Sequence, residues 1–170
     1  MLDSLELLQK WPDTVKEAQK GWIGRSDGAL ISFPLGANSS IEVFTTRPDV
    51  LAGVSFIAIS DEHKSVLSQL NQNDRFNELL DAHRNVKRPA AQGEIDYSGF
   101  QVPGLFATNP LTQEKIPVFV ASYVQADYSC GAVMGVPAHN DKDFKFAAQF
   151  GLPVRNVFCE ETDKVQGTEI

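Results

Sequence analysis

The 170-residue chain reads as a mainly β domain with peripheral helices, an α+β fold whose strands close a β-barrel. Three observations predict this. Short β-rich runs follow one another through the second half with turn residues between them. An earlier pair of such runs is joined by Gly, Asn and Ser. Helical periodicity is confined to the two ends and one central stretch. With 42% hydrophobic side chains, a chain of this length supports one core, so a single domain over 1–170 is expected.

From Leu2 to Lys20, Leu5, Leu8, Val15 and Ala18 recur at helical spacing around Trp11-Pro12-Asp13. Pro12 suits the first turn of a helix, so this opening segment predicts two short helices. Ala29–Phe33 and Ile41–Thr46 are β-rich and flank Gly36-Ala37-Asn38-Ser39-Ser40, which predicts a hairpin. The apolar run Val54–Ser60 predicts a strand, followed by a helix through Val66, Leu67, Leu70, Phe76, Leu79 and Leu80. Arg84–Gly93 is polar, contains Pro89 and reads as a loop. Gly99–Val102, Leu105–Ala107, Ile116–Ala121 and Ala132–Val136 form the train of short strands that predicts a closed or partly closed antiparallel sheet. Asp141–Phe150 reads as a helix with Asn140 as N-cap and Gly151 as its stop. The tail 160–170 is polar and lacks an apolar closing element, so the expectation is a piece of a larger protein.

A net charge of −7 argues against a protein that grips long stretches of duplex, because such binding needs many Lys and Arg on one face. Any nucleic-acid contact is expected to be local. The chain is not Cys-dense: Cys130 and Cys159 lack metal spacing, and a reducing compartment fits them. His63, His83 and His139 are scattered without metal spacing, and no apolar run reaches membrane-spanning length, so neither a metal nor a membrane is expected.

Two segments concentrate polar chemistry beside apolar strands. In Thr45-Thr46-Arg47-Pro48-Asp49, two hydroxyls, a fixed cation and a Pro-stiffened turn can bind a carbonyl, a ribose or a phosphate; the plainer reading is a turn in which Arg47 pairs with Asp49. In His139-Asn140-Asp141-Lys142-Asp143, Asp143 stands three residues after the N-cap, and the plainer reading is a capping box that stabilises the helix by about 1 kcal/mol.

Together these segments carry a resemblance. Trp22–Gly28, Thr45–Asp49, Asn109–Thr112 with Glu114–Pro117, and Gly131–His139 through Phe144 look like the signatures of the leucyl-tRNA synthetase editing insertion, connective peptide 1, over about Leu2 to Pro153. Valyl and isoleucyl enzymes share that barrel fold and a Thr-rich segment, but the Arg-Pro-Asp continuation and the Ala-Val-Met-Gly-Val-Pro-Ala-His run resemble the leucyl form. Its type is bacterial or organellar, which implies a bacterial cytoplasm or a mitochondrial matrix.

The resemblance implies hydrolysis of the ester joining a noncognate amino acid, such as norvaline or isoleucine, to the 3′ end of tRNA(Leu). Asp143 is implied to hold the α-ammonium, and Thr45, Thr46 and Arg47 to line the pocket around the side chain and terminal adenosine. Tyr128 and Met134 fall at pocket-lining positions, and His139 at a side-chain-facing one. Val50 stands where the family has a threonine whose bulk excludes leucine, so exclusion is expected to survive. Asn140 replaces a frequent second aspartate, removing a negative charge, and Ser129-Cys130 replaces a Gly-Thr pair. The implied hydrolysis needs no cofactor; ATP and Mg belong to a synthetic domain whose HIGH and KMSKS signatures are absent from these residues. The implied partners are the tRNA end and the catalytic domain of a parent synthetase, with a monomeric state. The alternatives are a degenerate module that binds the tRNA end without hydrolysis, a metal-dependent hydrolase built on His139, Asp141 and Asp143, and a valyl- or isoleucyl-type editor.

Overall fold

The described chain runs α1 (Asp13–Ile23), β1 (Ala29–Pro34), β2 (Ser40–Thr45), a 3-10 turn (Pro48–Gly53), β3 (Phe56–Ile59), α2 (Asp74–Val86), β4 (Gly99–Thr108), β5 (Lys115–Ala121), β6 (Ala132–Gly135) and α3 (Asp141–Phe150). These elements belong to a computed structural model that describes residues 10–23, 27–36, 39–63, 73–86, 95–126 and 130–158, with positions 8, 66 and 70. Of the two opening helices, the second is α1, whose first turn hangs from the Pro12 carbonyl through the N–H groups of Val15 and Lys16. The first lies outside the described residues, as do the middle of the central helical stretch and the tail.

β1 and β2 form the expected antiparallel hairpin, with Leu30 opposite Phe44 and Phe33 opposite Ile41. The other four strands form a sheet in the order β4-β5-β3-β6. This sheet is mixed, not antiparallel throughout: β3 runs parallel to β5 and antiparallel to β6. The crossover through α2 and β4 is what permits two parallel neighbours, since a hairpin cannot join them. No ladder among the described strands joins the two sheets, so the expected barrel takes the form of two sheets around a shared core. Gly99–Val102 and Leu105–Ala107 are one strand, not two. Its register shifts between Gln101 and Phe106, around Pro103, and as the edge strand it tolerates a residue with no N–H. The helix α2 also continues through Arg84–Val86, where a loop was expected. Arg84 is tied there by a 2.6 Å hydrogen bond to the Asp61 carbonyl, and the rest of the expected loop lies outside the described residues.

β3 is buried along its whole length, because both its faces meet a core. Ile57 and Ile59 join Phe33, Ile41, Val43 and Val118 between the two sheets. Phe56 and Ala58 face the other way, onto Phe119, Phe146 and Ala147 beneath α3. The Phe56 and Phe146 rings stack at 5.1 Å between centroids, and Phe119 meets Phe146 edge-on at 5.4 Å. This cluster docks α3 on the sheet and so fixes where its N-terminus lies.

Gly135, opposite Phe56 in the β3–β6 ladder, makes the stack possible: a Cβ at this position would overlap the Phe56 ring. Gly135→Ala should therefore displace that ring and lower the unfolding free energy by about 1–3 kcal/mol, read as a lower urea midpoint at unchanged slope.

Candidate functional site

The two polar segments meet. Thr45 ends β2 and Thr46-Arg47 leads into the 3-10 turn that buries Val50, while Met134 lies in β6 and the chain beyond it turns through His139 into α3. A cavity of about 210 Å³ opens between them, lined by Thr45, Thr46, Arg47, Val50, Met134, His139, Asn140 and Asp143, and also by Phe44, Val133 and Val136. Eight of the nine residues singled out from the sequence thus share one cavity; Tyr128 lies outside the described residues.

Each lining group has a local reason for its position. The Thr45 Oγ1 accepts the Arg47 N–H at 3.0 Å, which leaves the hydroxyl proton to donate elsewhere. The Arg47 guanidinium grips Asp49 through Nε at 2.9 Å and Nη2 at 2.8 Å, so the plainer reading of that turn holds while Arg47 still lines the cavity. The hydrogen bond to Asp49 raises the Arg47 pKa, and the same contact holds the Asp49 carboxyl below its ordinary value. Val50 is 3% exposed and belongs to the main core, so its bulk forms a fixed wall. The turn carrying it is pinned from the β4–β5 connection, where Asn109 Nδ2 donates to the Leu51 carbonyl at 2.8 Å and Asn109 Oδ1 accepts from Leu111 N–H at 2.9 Å.

Asp143 is the unusual group. It lies on the buried face of α3 with Phe146 and Ala147 and is 4% exposed. Its Oδ2 accepts the Val136 N–H at 3.0 Å and its Oδ1 accepts the Tyr123 hydroxyl at 3.2 Å. Burial pushes the Asp143 carboxyl above its ordinary range, and the two hydrogen bonds oppose that shift. The expected capping box is therefore only half formed. The Asn140 Oδ1 does cap the helix, accepting from Lys142 N–H at 2.9 Å and Asp143 N–H at 3.4 Å, but the Asp143 carboxylate turns inward to β6 instead of back to residue 140. The helix ends as expected at Gly151, left-handed at φ 65°, with the Leu152 N–H on the Ala147 carbonyl.

Sequence reading missed Tyr123 and Phe158. Tyr123 stands two residues beyond β5, and its only signal was a polar aromatic just past an apolar run. Phe158 gave none. The segment that delivers it is held by the Ser55 hydroxyl on the Pro153 carbonyl at 2.6 Å and by an Arg155–Glu114 ion pair. Its ring then lies 4.9 Å from that of His139 and 5.9 Å from the Arg47 guanidinium, beside the cavity. The His139 Nε2 is buried with no hydrogen-bond partner among the described residues.

A second cavity of about 490 Å³ shares Val133, Met134, Asn140 and Asp143 with the first and adds Tyr123, Gln125 and Lys142. Asp141 lines neither of these cavities, and no group of three His, Cys, Asp or Glu among the described residues is arranged to hold a metal. No helix among them is long and apolar enough to cross a membrane.

A family model described as the editing domain of leucyl-tRNA synthetase matches residues 20–169. The leucine–tRNA ligase of Pseudoalteromonas atlantica is 39% identical over 175 residues, covering 100% of this chain and 20% of that protein. That of Thermotoga maritima is 41% identical over 169 residues, covering 96% and 20%. Among solved structures, the ternary LeuRS-tRNA-LeuAMS complex of Agrobacterium radiobacter K84 superposes with a TM-score of 0.69 at 36% identity, over 99% of this chain and 20% of that one. The chain spans about a fifth of the length of these relatives.

Because Asn140 serves α3 as its cap, Asn140→Ala should lower the unfolding free energy by about 1 kcal/mol. Asn140→Asp should keep the cap, add a charge at the positive helix end and leave stability unchanged or higher by about 0.5 kcal/mol at low salt. Paired urea titrations of the two variants check both outcomes.

Proposed function

Given that the chain belongs to the leucyl-tRNA synthetase editing-domain family, we propose that its cavity hydrolyses the ester linking a noncognate amino acid, such as norvaline or isoleucine, to the 3′ end of tRNA(Leu). The observation that carries this reading is the convergence of Thr45–Val50 and Met134–Asp143 on one cavity with a single buried carboxylate in its wall. The cavity, about 210 Å³, is of a size to take an amino-acid side chain.

Asp143 binds the α-ammonium as a carboxylate, a charge-assisted contact that selects an aminoacyl ester over an uncharged acyl group. Thr45 has a hydroxyl proton to donate, and Thr46 and Arg47 stand beside it at the mouth. His139 lines the same cavity beside them. Held in this way, the ester carbonyl is attacked by water. The tetrahedral intermediate collapses with cleavage of the bond to the ribose oxygen, which takes up the proton, and the free amino acid and uncharged tRNA leave. The chemistry is positioning and electrostatics, without a cofactor. Val50 and Met134 close the side-chain end and reject leucine by shape, the second sieve of a synthetase whose first site admits smaller or isosteric competitors. We further propose that the domain works beside the catalytic domain of a monomeric parent enzyme in a bacterial cytoplasm or a mitochondrial matrix.

The test is deacylation of Ile-tRNA(Leu) and Leu-tRNA(Leu) by the parent enzyme. Wild type should clear the first and spare the second, and Asp143→Asn should lose about 100-fold or more in kcat/KM by removing the charged partner of the ammonium. A parent enzyme that clears no noncognate ester would mark the domain as a module that only binds the tRNA end. Val50→Ala, which deletes two methyl groups from the wall, should admit leucine, so that Leu-tRNA(Leu) is now hydrolysed, and should cost about 2 kcal/mol of stability.

The pH dependence follows from the raised Asp143 pKa. Hydrolysis should fall as pH drops through that value, because protonation abolishes the ammonium contact. Stability runs the other way. A carboxyl whose folded pKa exceeds its unfolded one stabilises below the unfolded value, and this contribution is lost as pH rises through the folded one. Asp143→Asn should accordingly melt at or above the wild-type temperature at neutral pH while being inactive, as differential scanning calorimetry would show.

A further inference from the structure

We propose that Tyr123 is a positioning residue of this site, its hydroxyl locking the Asp143 carboxylate in the orientation that receives the α-ammonium. The inference rests on the role given to Asp143 above. An aspartate's terminal torsion is broad and roughly two-fold, so a carboxylate held through one oxygen can swing. Here Oδ2 is held by Val136 N–H at 3.0 Å and Oδ1 by the Tyr123 hydroxyl at 3.2 Å, from two different elements. Each oxygen keeps a second lone-pair direction for the ligand. The phenol is well anchored for this task. Its ring packs edge-on against Phe146, on the same face of α3 as Asp143, at 5.4 Å, and against Tyr97 at 6.0 Å. The turn that carries it is closed by Val124 N–H on the Ala121 carbonyl and tied to the residue before β4 by Ser122 N–H on the Ser98 carbonyl.

Tyr123 lines the second cavity and not the first, so it reaches the ester only through Asp143. Burial, and then the neighbouring Asp143 charge, holds its proton far above the physiological range, so the phenol stays a donor throughout the working pH. Among the described residues, the other charged or titratable groups around Asp143 are Lys142 on its own helix and Arg47 and His139 around the shared cavity. None of these donates a hydrogen bond to the carboxylate, so among the described residues losing the phenol leaves it with Val136 N–H alone.

The experiment compares wild type, Tyr123→Phe and Asp143→Asn in the full synthetase, measuring Ile-tRNA(Leu) hydrolysis from mildly acidic to mildly alkaline pH, with thermal unfolding of each variant as the control for folding and leucylation as the control for the synthetic site. Tyr123→Phe should lower kcat about 10-fold, the value of one hydrogen bond to a charged group, with a smaller change in KM. It should also move the acid limb to higher pH and leave leucylation unchanged. A Tyr123→Phe enzyme with wild-type rate and acid limb, or one slower by the same factor at every pH, overturns the positioning role. If Asp143→Asn loses hydrolysis in that case, the editing role of Asp143 stands and only this inference fails. Retained hydrolysis in Asp143→Asn instead overturns the role of Asp143 and this inference with it.

Discussion

The site depends on one contradiction in α3: a carboxylate occupies the helix face that otherwise carries Phe146 and Ala147 into the core. A buried carboxylate costs several kcal/mol unless hydrogen bonds replace its water. The fold meets this need from two directions, with a backbone N–H just beyond β6 and a phenol from the turn after β5. Both donors are in place only if α3 docks where the Phe56–Phe146 stack puts it, and that stack requires the missing side chain at Gly135. Core packing and site geometry are therefore one problem, and the sheet order β5-β3-β6 is what brings the two donors near each other.

This arrangement is compatible with the nucleic-acid substrate proposed for an acidic chain. In the proposed function only the 3′ terminus has to be held, and the groups offered for this are local: one guanidinium, two threonine hydroxyls, an imidazole and a carboxylate for the ammonium. The guanidinium is itself kept by Asp49, so it presents a fixed fork instead of a searching cation. The wall at Val50 is equally fixed, because the turn beneath it is bonded to the β4–β5 connection through Asn109. The size selection proposed for this site needs such a wall, since one that could yield by a methyl group would not separate leucine from its competitors.

Much of this was legible in the chain itself. The β1–β2 hairpin, α3 with its Asn140 cap and Gly151 stop, and the β3 run each followed from local pattern and turn chemistry, which depend on neighbours in sequence. Where the reading departed from the fold, the cause was tertiary. Gly99–Val102 and Leu105–Ala107 looked like two strands, but an edge position lets β4 pass through Pro103 between them. Arg84 looked like the start of a loop, but its contact with Asp61 carries α2 to Val86. The capping box was read from spacing alone, and spacing cannot say that Val136 offers the Asp143 carboxylate a better donor than its own helix end does.

By itself the sequence determined the elements, the two polar segments and the family resemblance, because helical and strand periods and motif spacing are properties of consecutive residues. Only the tertiary structure decided that the segments share one cavity, that β3 and β5 run parallel, that Tyr123 reaches Asp143 and that Phe158 lies beside His139 and Arg47. Those contacts join residues far apart in the chain, and they exist because close packing of one core leaves each helix and turn a single place to sit.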